Sequence, residues 1–432
     1  MNAGELARLR QADRRVSWKP FTDMRAYMNS EPHVITRGEG NWLFDAEGRR
    51  LFDAVSSLWC NLFGHRVPEI DAAIRRQLDR VAHTTALGPT HPQAVELAER
   101  LVAIAPGDLS RVFYSDSGSE AVEAALKIAV GCWRYRGRPE KTRIVSLREG
   151  YHGDTLGAVS VGGIGVFHAE WRPLCFDSLQ IPSPAEGAAS LSALGELLAS
   201  RGAEIAALIA EPLVQAAGGM LFAEPGFLAE ARELCTRHDV LLILDEVATG
   251  FGRTGKRFAC EHEGVAPDVL CLAKGITGGY LPIAATLATE EVFNSFLAQQ
   301  EDESRIFYHG HTYTANPLGC AAALAALDLL ERELPDLEAR GEGLREVLEP
   351  LCNLERVREL RLLGMIGALE LVPGETRYAF GREVAARALD HGILIRPLGD
   401  TLVIMPPLTT TEEEMRHLAS GLASSISEAS AG

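Results

Sequence analysis

Two residues at the ends of apolar segments have the types and spacing for joint chemistry. The apolar run at residues 240–244 ends abruptly at Asp245, and a second run at residues 269–273 ends at Lys274. Each run has the length and composition of a buried parallel strand. Because ligands of open α/β sheets bind at the carboxyl ends of the strands, we expect both side chains to face one crevice.

A carboxylate and an amine in a shielded crevice are the groups that pyridoxal phosphate chemistry requires. There a lysine holds the aldehyde as a Schiff base, and an acid pairs with the pyridine nitrogen. Burial lowers the pKa of an ammonium, which favours the neutral, nucleophilic amine. Taken singly, Asp245 also suits a loop or helix-terminus contact, and Lys274 a solvated position before a glycine turn. Together they favour the cofactor site.

Two other strand ends carry groups that suit a phosphate and a flat ring. Residues 115–119, Ser-Asp-Ser-Gly-Ser, join a short strand at 111–114 to a long helix that ends near residue 134. The backbone N–H groups and dipole of a helix start favour an anion, although an ordinary N-cap by Ser117 or Ser119 explains the same residues. Tyr151, between glycines, suits stacking on a ring or simple loop filling.

The composition disfavours several classes of partner. The 432 residues carry a formal charge of −17, which repels nucleic acids and anionic membranes. No stretch reaches the roughly 20 apolar residues of a membrane span, and the first 15 residues lack the apolar core of a signal peptide. The eight cysteines form no CxxC pair and lie mostly in apolar runs, which favours a cytoplasmic protein.

Histidines 309 and 311 are the obvious metal candidates. We expect them to lack any nearby carboxylate or thiol partner, so we predict no metal site.

Alternation of strands and helices from residue 111 to residue 272 predicts an α/β fold with a mostly parallel sheet. A hairpin is predicted at 42–53, and the apolar segment 55–65 suits either a pocket wall or simple packing. From about residue 333 the pattern is α+β. We expect an N-terminal segment at 1–65, a large domain at 66–332 and a small domain completed by 333–432. The remaining predicted elements are strands at 142–147, 206–210, 282–289, 360–371, 393–398 and 401–405, and helices at 68–81, 92–104, 225–238, 318–330, 381–391 and 411–426.

Residues 244–256, Leu-Asp-Glu-Val-Ala-Thr-Gly-Phe-Gly-Arg-Thr-Gly-Lys, followed by Lys274, resemble the class III aminotransferases of fold type I. The similarity extends over nearly the whole chain and includes residues 18–22, 151–155 and 258–262. The resemblance implies pyridoxal 5'-phosphate as cofactor, a sheet of the seven-stranded type in the large domain, and a small α+β domain built from both termini.

The resemblance also implies how the cofactor is held. Lys274 would form the internal aldimine, Asp245 would pair with the pyridine nitrogen, and Tyr151 would stack on the ring. Gly118 and Ser119 would bind the phosphate. Thr312 would reach the phosphate of the partner subunit, which implies a homodimer with shared active sites.

For the substrates, the resemblance implies that Arg396 clamps a carboxylate and that Phe21, Leu58 and Trp59 form an apolar wall. The implied reaction moves an amino group from a donor, through the cofactor, to 8-amino-7-oxononanoate, which gives 7,8-diaminononanoate for biotin biosynthesis. Members that use S-adenosylmethionine carry Tyr, Trp and Tyr at the positions of Phe21, Leu58 and Val403, so the donor is either S-adenosylmethionine or lysine.

Other interpretations stay open. An ω-amino-acid:pyruvate or diamine aminotransferase would share nearly all the cofactor residues, and a pyridoxal-binding regulatory module would keep the cofactor without turnover. A dinucleotide-dependent oxidoreductase is disfavoured, because no GxGxxG follows the first strand of the predicted sheet.

Overall fold

The computed structural model describes residues 1–298, 300, 303–374 and 378–431. Within these ranges the chain forms a seven-stranded sheet, two four-stranded sheets and a two-stranded ribbon. The α/β class predicted from the sequence is confirmed. No helix among the described residues is long and apolar enough to cross a membrane, and the cytoplasmic location stays a prediction.

The N-terminal part begins with a helix that the sequence pattern did not predict. Six of its 14 residues are charged and only Leu6 is buried, so it lacks the apolar stripe of a core helix. The predicted hairpin is confirmed as two antiparallel strands. The elements are α1 (Ala3–Val16), α2 (Met24–Met28), β1 (Ile35–Glu39), β2 (Trp42–Asp45), β3 (Arg50–Asp53) and α3 (Ser56–Trp59), the last a short turn with non-helical backbone angles inside it.

The central part alternates strands and helices as predicted. Its helices are α4 (Pro68–Leu78), α5 (Pro92–Ile104), α6 (Gly118–Tyr135), α7 (Leu156–Val161), α8 (Gly165–His168), α9 (Ala188–Arg201), α10 (Phe227–Arg237), α11 (Glu290–Asn294) and α12 (Pro317–Glu333). Its strands are β4 (Leu109–Ser115), β5 (Arg143–Leu147), β6 (Leu179–Ile181), β7 (Ile205–Ala210), β8 (Val214–Gln215), β9 (Leu221–Phe222), β10 (Leu241–Asp245), β11 (Val269–Leu272) and β12 (Ala284–Thr289).

The large sheet has the order β4-β12-β11-β10-β7-β5-β6. Strands β6, β5, β7, β10 and β11 pair in parallel, whereas β12 runs antiparallel to both of its neighbours. Every residue of β7 and β10 is buried, because helices cover both faces of the sheet. The sheet therefore brings the carboxyl ends of β7, β10 and β11 side by side at one edge.

The C-terminal part consists of α13 (Leu337–Leu348), β13 (Val357–Leu363), β14 (Ile366–Leu371), α14 (Ala379–Asp390), β15 (Ile393–Leu394), β16 (Arg396–Leu398), β17 (Thr401–Ile404) and α15 (Glu412–Ala431). Its sheet has the order β13-β14-β17-β16.

Two predicted strands of this part were wrong in extent. Segment 360–371 is a hairpin that turns at Gly364, which has a φ of 57°. Segment 393–398 is two strands in different sheets, because β15 pairs in parallel with β3 while β16 pairs with β17. The N-terminal sheet thus contains a C-terminal strand, and the domain boundaries stay a prediction.

Candidate active site

A cavity of about 640 Å³ opens at the carboxyl ends of the central strands. This volume suits a cofactor together with a small substrate. Six of the residues singled out from the sequence line it: Trp59, Gly118, Ser119, Tyr151, Asp245 and Lys274.

Asp245 is the last residue of β10, and it is 4 % exposed. Its Oδ1 accepts a hydrogen bond of 3.0 Å from the Val247 N–H, and its Oδ2 lies 2.7 Å from Nδ1 of His152. Burial opposes a charge on His152, but the hydrogen bond and negative charge of Asp245 outweigh burial and raise the pKa of this imidazole. A paired carboxylate is therefore fixed in the cavity floor.

Lys274 follows β11 and begins a short 3-10 turn, Lys274–Thr277. Its φ of 29° is unusual for a residue with a side chain, and such backbone positions are concentrated at functional sites. Burial lowers the pKa of its ammonium, although the charges of Asp245 and Glu211 act in the opposite direction. Its Nζ lies 5.4 Å from the ring centroid of Trp59. The amine is thus shielded and more easily deprotonated than a surface lysine.

The start of α6 forms a turn suited to an anion. Ser117 is the N-cap, and its Oγ accepts a hydrogen bond of 3.4 Å from the Glu120 N–H. Ser119 Oγ accepts a hydrogen bond of 3.0 Å from the Thr155 N–H. The first turn of a helix leaves backbone N–H groups without intrahelical acceptors, and here they adjoin the cavity. The N-cap explanation and the anion site are therefore compatible.

Tyr151 is held at both ends. Its hydroxyl donates a hydrogen bond of 2.8 Å to Asp154, and its backbone N–H donates one of 3.0 Å to Glu211 Oε2. Burial, and then the hydrogen bond to Asp154, raise the pKa of the Tyr151 phenol. Its ring also lies parallel to that of His168, with the centroids 6.1 Å apart. The ring is therefore uncharged and fixed at the cavity wall.

Glu211 and His152 also line the cavity, and sequence reasoning did not select them. Glu211 directly follows β7 and is 6 % exposed, and its carboxylate accepts hydrogen bonds from the backbone N–H groups of Tyr151 and Ala216. Burial raises the pKa of this carboxyl group to about 7. The signal was available, because Glu211 ends an entirely apolar run in the same way as Asp245.

Four predicted residues do not line this cavity. Phe21 is 53 % exposed and contacts Phe167, whose ring in turn contacts that of Tyr151. Leu58 is 47 % exposed beside Trp59. Thr312 and Arg396 are also exposed. Their functional roles stay predictions.

Segment 55–65 combines the two interpretations that the sequence left open. Trp59 and Cys60 line the cavity, whereas Val55, Leu62 and Phe63 belong to the hydrophobic core. The segment is therefore both a pocket wall and a packing element.

One premise about the histidines was wrong. Nδ1 of His311 lies 3.5 Å from Oε1 of Glu120, and the ligand atoms of Asp116, Glu120 and His311 are all within 4.8 Å of one another. These carboxylates come from the start of α6, about 190 residues earlier in the chain. The fold thus brings two carboxyl groups close to His311, and the absence of a metal stays a prediction.

Comparison with known proteins gives consistent matches. The family described as Aminotransferase class-III matches residues 25–426. The chain is 49 % identical to the adenosylmethionine-8-amino-7-oxononanoate aminotransferase of Geobacter sulfurreducens, over 98 % of both chains. The crystal structure of the protein of that name from Methanocaldococcus jannaschii superimposes with a TM-score of 0.94, at 41 % identity, over 98 % of this chain and 99 % of that one. An amine transaminase from an uncultivated Pseudomonas species, in its PLP-bound (internal aldimine) form, superimposes with a TM-score of 0.90, at 37 % identity, over 96 % and 98 %.

Proposed function

The chain belongs to the class III aminotransferases, and we propose that it transfers an amino group to 8-amino-7-oxononanoate to form 7,8-diaminononanoate, a step of biotin biosynthesis. The observation that carries the proposal is the identity to the Geobacter sulfurreducens enzyme over almost the whole of both chains. Asp245 and Lys274 at one cavity, where chemistry of this kind requires an acid and an amine, support it.

The residues of the cavity fit pyridoxal 5'-phosphate. Asp245 pairs in parallel register with Cys271, three residues before Lys274, so that acid and amine enter the cavity from neighbouring strands. The start of α6 supplies N–H groups for a phosphate, beside Gly118 and Ser119. When bound, pyridoxal phosphate draws electrons from a substrate carbon and carries the amino group between donor and acceptor.

We assign each residue a task that its position allows. Lys274 Nζ would hold the cofactor and, once released, move a proton at the substrate carbon, because its lowered pKa favours the neutral amine. Asp245 would keep the ring nitrogen protonated through its negative charge. Tyr151, fixed by Asp154 and Glu211, would cover one face of the ring.

A homodimer with shared active sites completes the proposal. Thr312 is exposed and does not line the cavity of its own chain, which supports a role at the phosphate of another subunit. Nearby Tyr308 and Tyr313 are 83 % and 56 % exposed. Exposed aromatic side chains of this kind are typical of protein interfaces, which supports the pairing of two chains near this segment.

The acceptor site would combine Arg396 with the apolar side chains of Phe21, Leu58 and Trp59. Arg396 pairs across the sheet with the buried Val403, so β16 and β17 position both residues. A planar guanidinium suits a terminal carboxylate, and the apolar wall suits the chain of the keto acid. For the donor we propose S-adenosylmethionine or lysine. The names of the relatives favour S-adenosylmethionine, whereas Phe21, Leu58 and Val403 offer this donor no polar side-chain groups, which favours lysine.

The test is an assay of the purified holoprotein with 8-amino-7-oxononanoate and each donor in turn. We expect 7,8-diaminononanoate from at least one of the two donors, and none from Lys274→Ala. Lys256→Ala, which removes an exposed lysine whose Nζ donates to the backbone carbonyl of Glu261, is the matched control and should retain activity. Turnover of ω-amino acids with pyruvate, without any diaminononanoate, would replace the proposal by the alternative that the amine transaminase likeness favours.

A further inference from the structure

The turn α3 has a strained backbone beside the active-site cavity. Ser56, Ser57 and Trp59 have φ values of 49°, 62° and 66°, so three residues with side chains adopt left-handed conformations within four positions. With a ψ of −82°, Ser57 lies close to a γ-turn of positive φ, which is rare and strained. Conformations of this kind persist only where surrounding contacts impose them.

The principal contact is the carboxylate of Asp53, which is completely buried. The Ser57 N–H donates to both of its oxygens, at 2.8 Å each. His65 Nε2, on the far side of the turn, lies 3.1 Å from Oδ2. Asp53 therefore joins the residues before and after the turn and fixes the conformation of Ser57.

Two further contacts hold the turn, and the residues that directly follow it, against other parts of the chain. Ser56 Oγ donates a hydrogen bond of 2.7 Å to the Met405 carbonyl. The buried Arg253 donates to the carbonyls of Asn61 and Pro406, at 3.0 and 2.6 Å. The turn is thereby attached to both the large sheet region and the C-terminal strands.

The turn places the side chain of Trp59 at the cavity. It is 7 % exposed, it lines the cavity, and its ring centroid lies 5.4 Å from Lys274 Nζ. Since Trp59 itself has a left-handed backbone, the direction of its indole depends on the turn being held in this form. A relaxed turn would move the ring away from the amine.

From these contacts we infer that Asp53 is a positioning residue, which holds the strained turn so that Trp59 forms the cavity wall over Lys274. The inference rests on the proposed function only in that the cavity performs transamination. Asp53 does not line the cavity and contacts no reacting group. Its effect on the reaction passes entirely through Trp59.

The test compares Asp53→Asn, Trp59→Leu and the double variant in the holoprotein. The amide keeps the size of Asp53 but replaces one acceptor oxygen by an NH2 donor, so in either orientation the Ser57 N–H loses one of its two acceptors. Displacement of a group by roughly 1 Å can slow a reaction about 100-fold, so we expect a loss of about 10- to 100-fold in the rate with an amine donor. Pyridoxal phosphate should still bind.

Coupling through Trp59 predicts that the double variant is no slower than Trp59→Leu alone. Multiplied effects in the double variant would overturn the inference, as would wild-type rates in Asp53→Asn. If Asp53→Asn does not fold, Ser56→Ala, which removes only the bond to Met405, takes its place with a smaller expected loss and the same double-variant criterion.

Two further variants distinguish a loss of Trp59 positioning from a general loss of protein stability. Asp45→Asn is the matched control, because Asp45 is also buried and accepts hydrogen bonds from two backbone N–H groups, those of Glu47 and Arg49, in a turn that does not reach the cavity. It should lower the melting temperature and leave the rate unchanged.

Glycine adopts positive φ without strain, so Ser57→Gly should restore at least part of the rate lost in Asp53→Asn. A failure to restore any rate contradicts the inference.

The readout is the rate at which an amine donor bleaches the yellow holoprotein, relative to the wild type. Any donor that the wild-type protein accepts is suitable, so an error in the assigned acceptor leaves this test intact. A holoprotein that no amine bleaches would instead overturn the proposed function.

Discussion

Nδ1 of His152 lies 2.7 Å from Oδ2 of Asp245, and both side chains are buried. An ionised carboxylate only accepts hydrogen bonds, so Nδ1 carries the hydrogen in this pair. The other carboxylate oxygen accepts from the Val247 N–H. The position of Asp245, the acid that we propose pairs with the cofactor nitrogen, thus depends on His152, which is distant from it in the sequence.

Replacing His152 should therefore weaken both the fold and the reaction. His152→Phe keeps an aromatic ring but leaves a buried carboxylate without its partner, and breaking a buried pair in this way costs about 3 to 5 kcal/mol. The carboxylate of Asp245 would lose the contact that orients it, and kcat/KM should fall by about 100-fold, as for other electrostatic deletions. Melting temperature and steady-state rates measure the two effects. The control His238→Phe alters a half-buried ring outside the cavity. A His152→Phe variant with the rate of the wild type would refute this role.

The buried carboxyl group of Glu211 predicts how stability varies with pH. Its pKa rises from 4.5 to about 7 on folding, so the folded state keeps this proton to a higher pH than the unfolded chain. The contribution of Glu211 to the free energy of unfolding is therefore greatest below pH 4.5 and falls by about 3 kcal/mol as the pH rises through 7. Glu211→Gln should lack this loss and keep only the decline from His152, whose raised pKa acts in the same direction. Melting temperatures between pH 5 and 8, without cofactor, give the comparison. Parallel curves for variant and wild type would contradict the prediction.

The strand ends of the large sheet could be predicted because burial on both faces requires continuous apolar runs. Such runs at 240–244 and 269–273 end at Asp245 and Lys274, and parallel pairing then places both ends at one edge. Glu211 follows a third run of the same kind and could have been selected by the same rule.

What the sequence did not show depends on contacts between distant residues. His152 reaches Asp245 across 93 positions, and Glu120 reaches His311 across 191, distances that no local pattern expresses. The split of segment 393–398 depends on which sheet each half joins. Helix α1 is stabilised by its Asn2 cap and by ion pairs such as that of Arg10 with Glu31, without an apolar stripe.

A shared active site predicts a specific pattern of activity in mixed dimers. A heterodimer of one Thr312→Glu chain and one Lys274→Ala chain would contain one complete site, so it should have roughly half of the wild-type activity, whereas each homodimer should be inactive. The added carboxylate at position 312 repels the phosphate. Purification through two different tags isolates the heterodimer.

The matched control carries both substitutions in one chain, paired with a wild-type chain. If Thr312 serves the partner's phosphate, neither site of this dimer is complete and activity is lost. Half activity in this control, with none in the first heterodimer, would show that each chain uses its own Thr312.

The close contact at Gly118 predicts the cost of a single methyl group in the turn that we propose binds the phosphate. A Cβ at this position would lie 2.7 Å from Cγ1 of Val247, two residues after Asp245, and 3.5 Å from Cβ of Ala273, one residue before Lys274. Val247 is β-branched and cannot easily rotate away, so the turn itself must move. Overpacking of this kind costs about 1 to 3 kcal/mol, and we expect Gly118→Ala to bind pyridoxal phosphate at least about 10-fold more weakly. Titration of the cofactor-free protein measures the Kd.

The control for this substitution is Gly195→Ala on helix α9. There the nearest atom to a new Cβ is Leu234 Cδ2 at 3.9 Å, an ordinary contact, and alanine favours a helix by about 1 kcal/mol over glycine. Gly195→Ala should keep the wild-type Kd and raise the melting temperature slightly. Since both variants add the same methyl group, weaker binding in Gly118→Ala alone would locate the effect at the turn, and equal Kd values would show that the phosphate does not bind there.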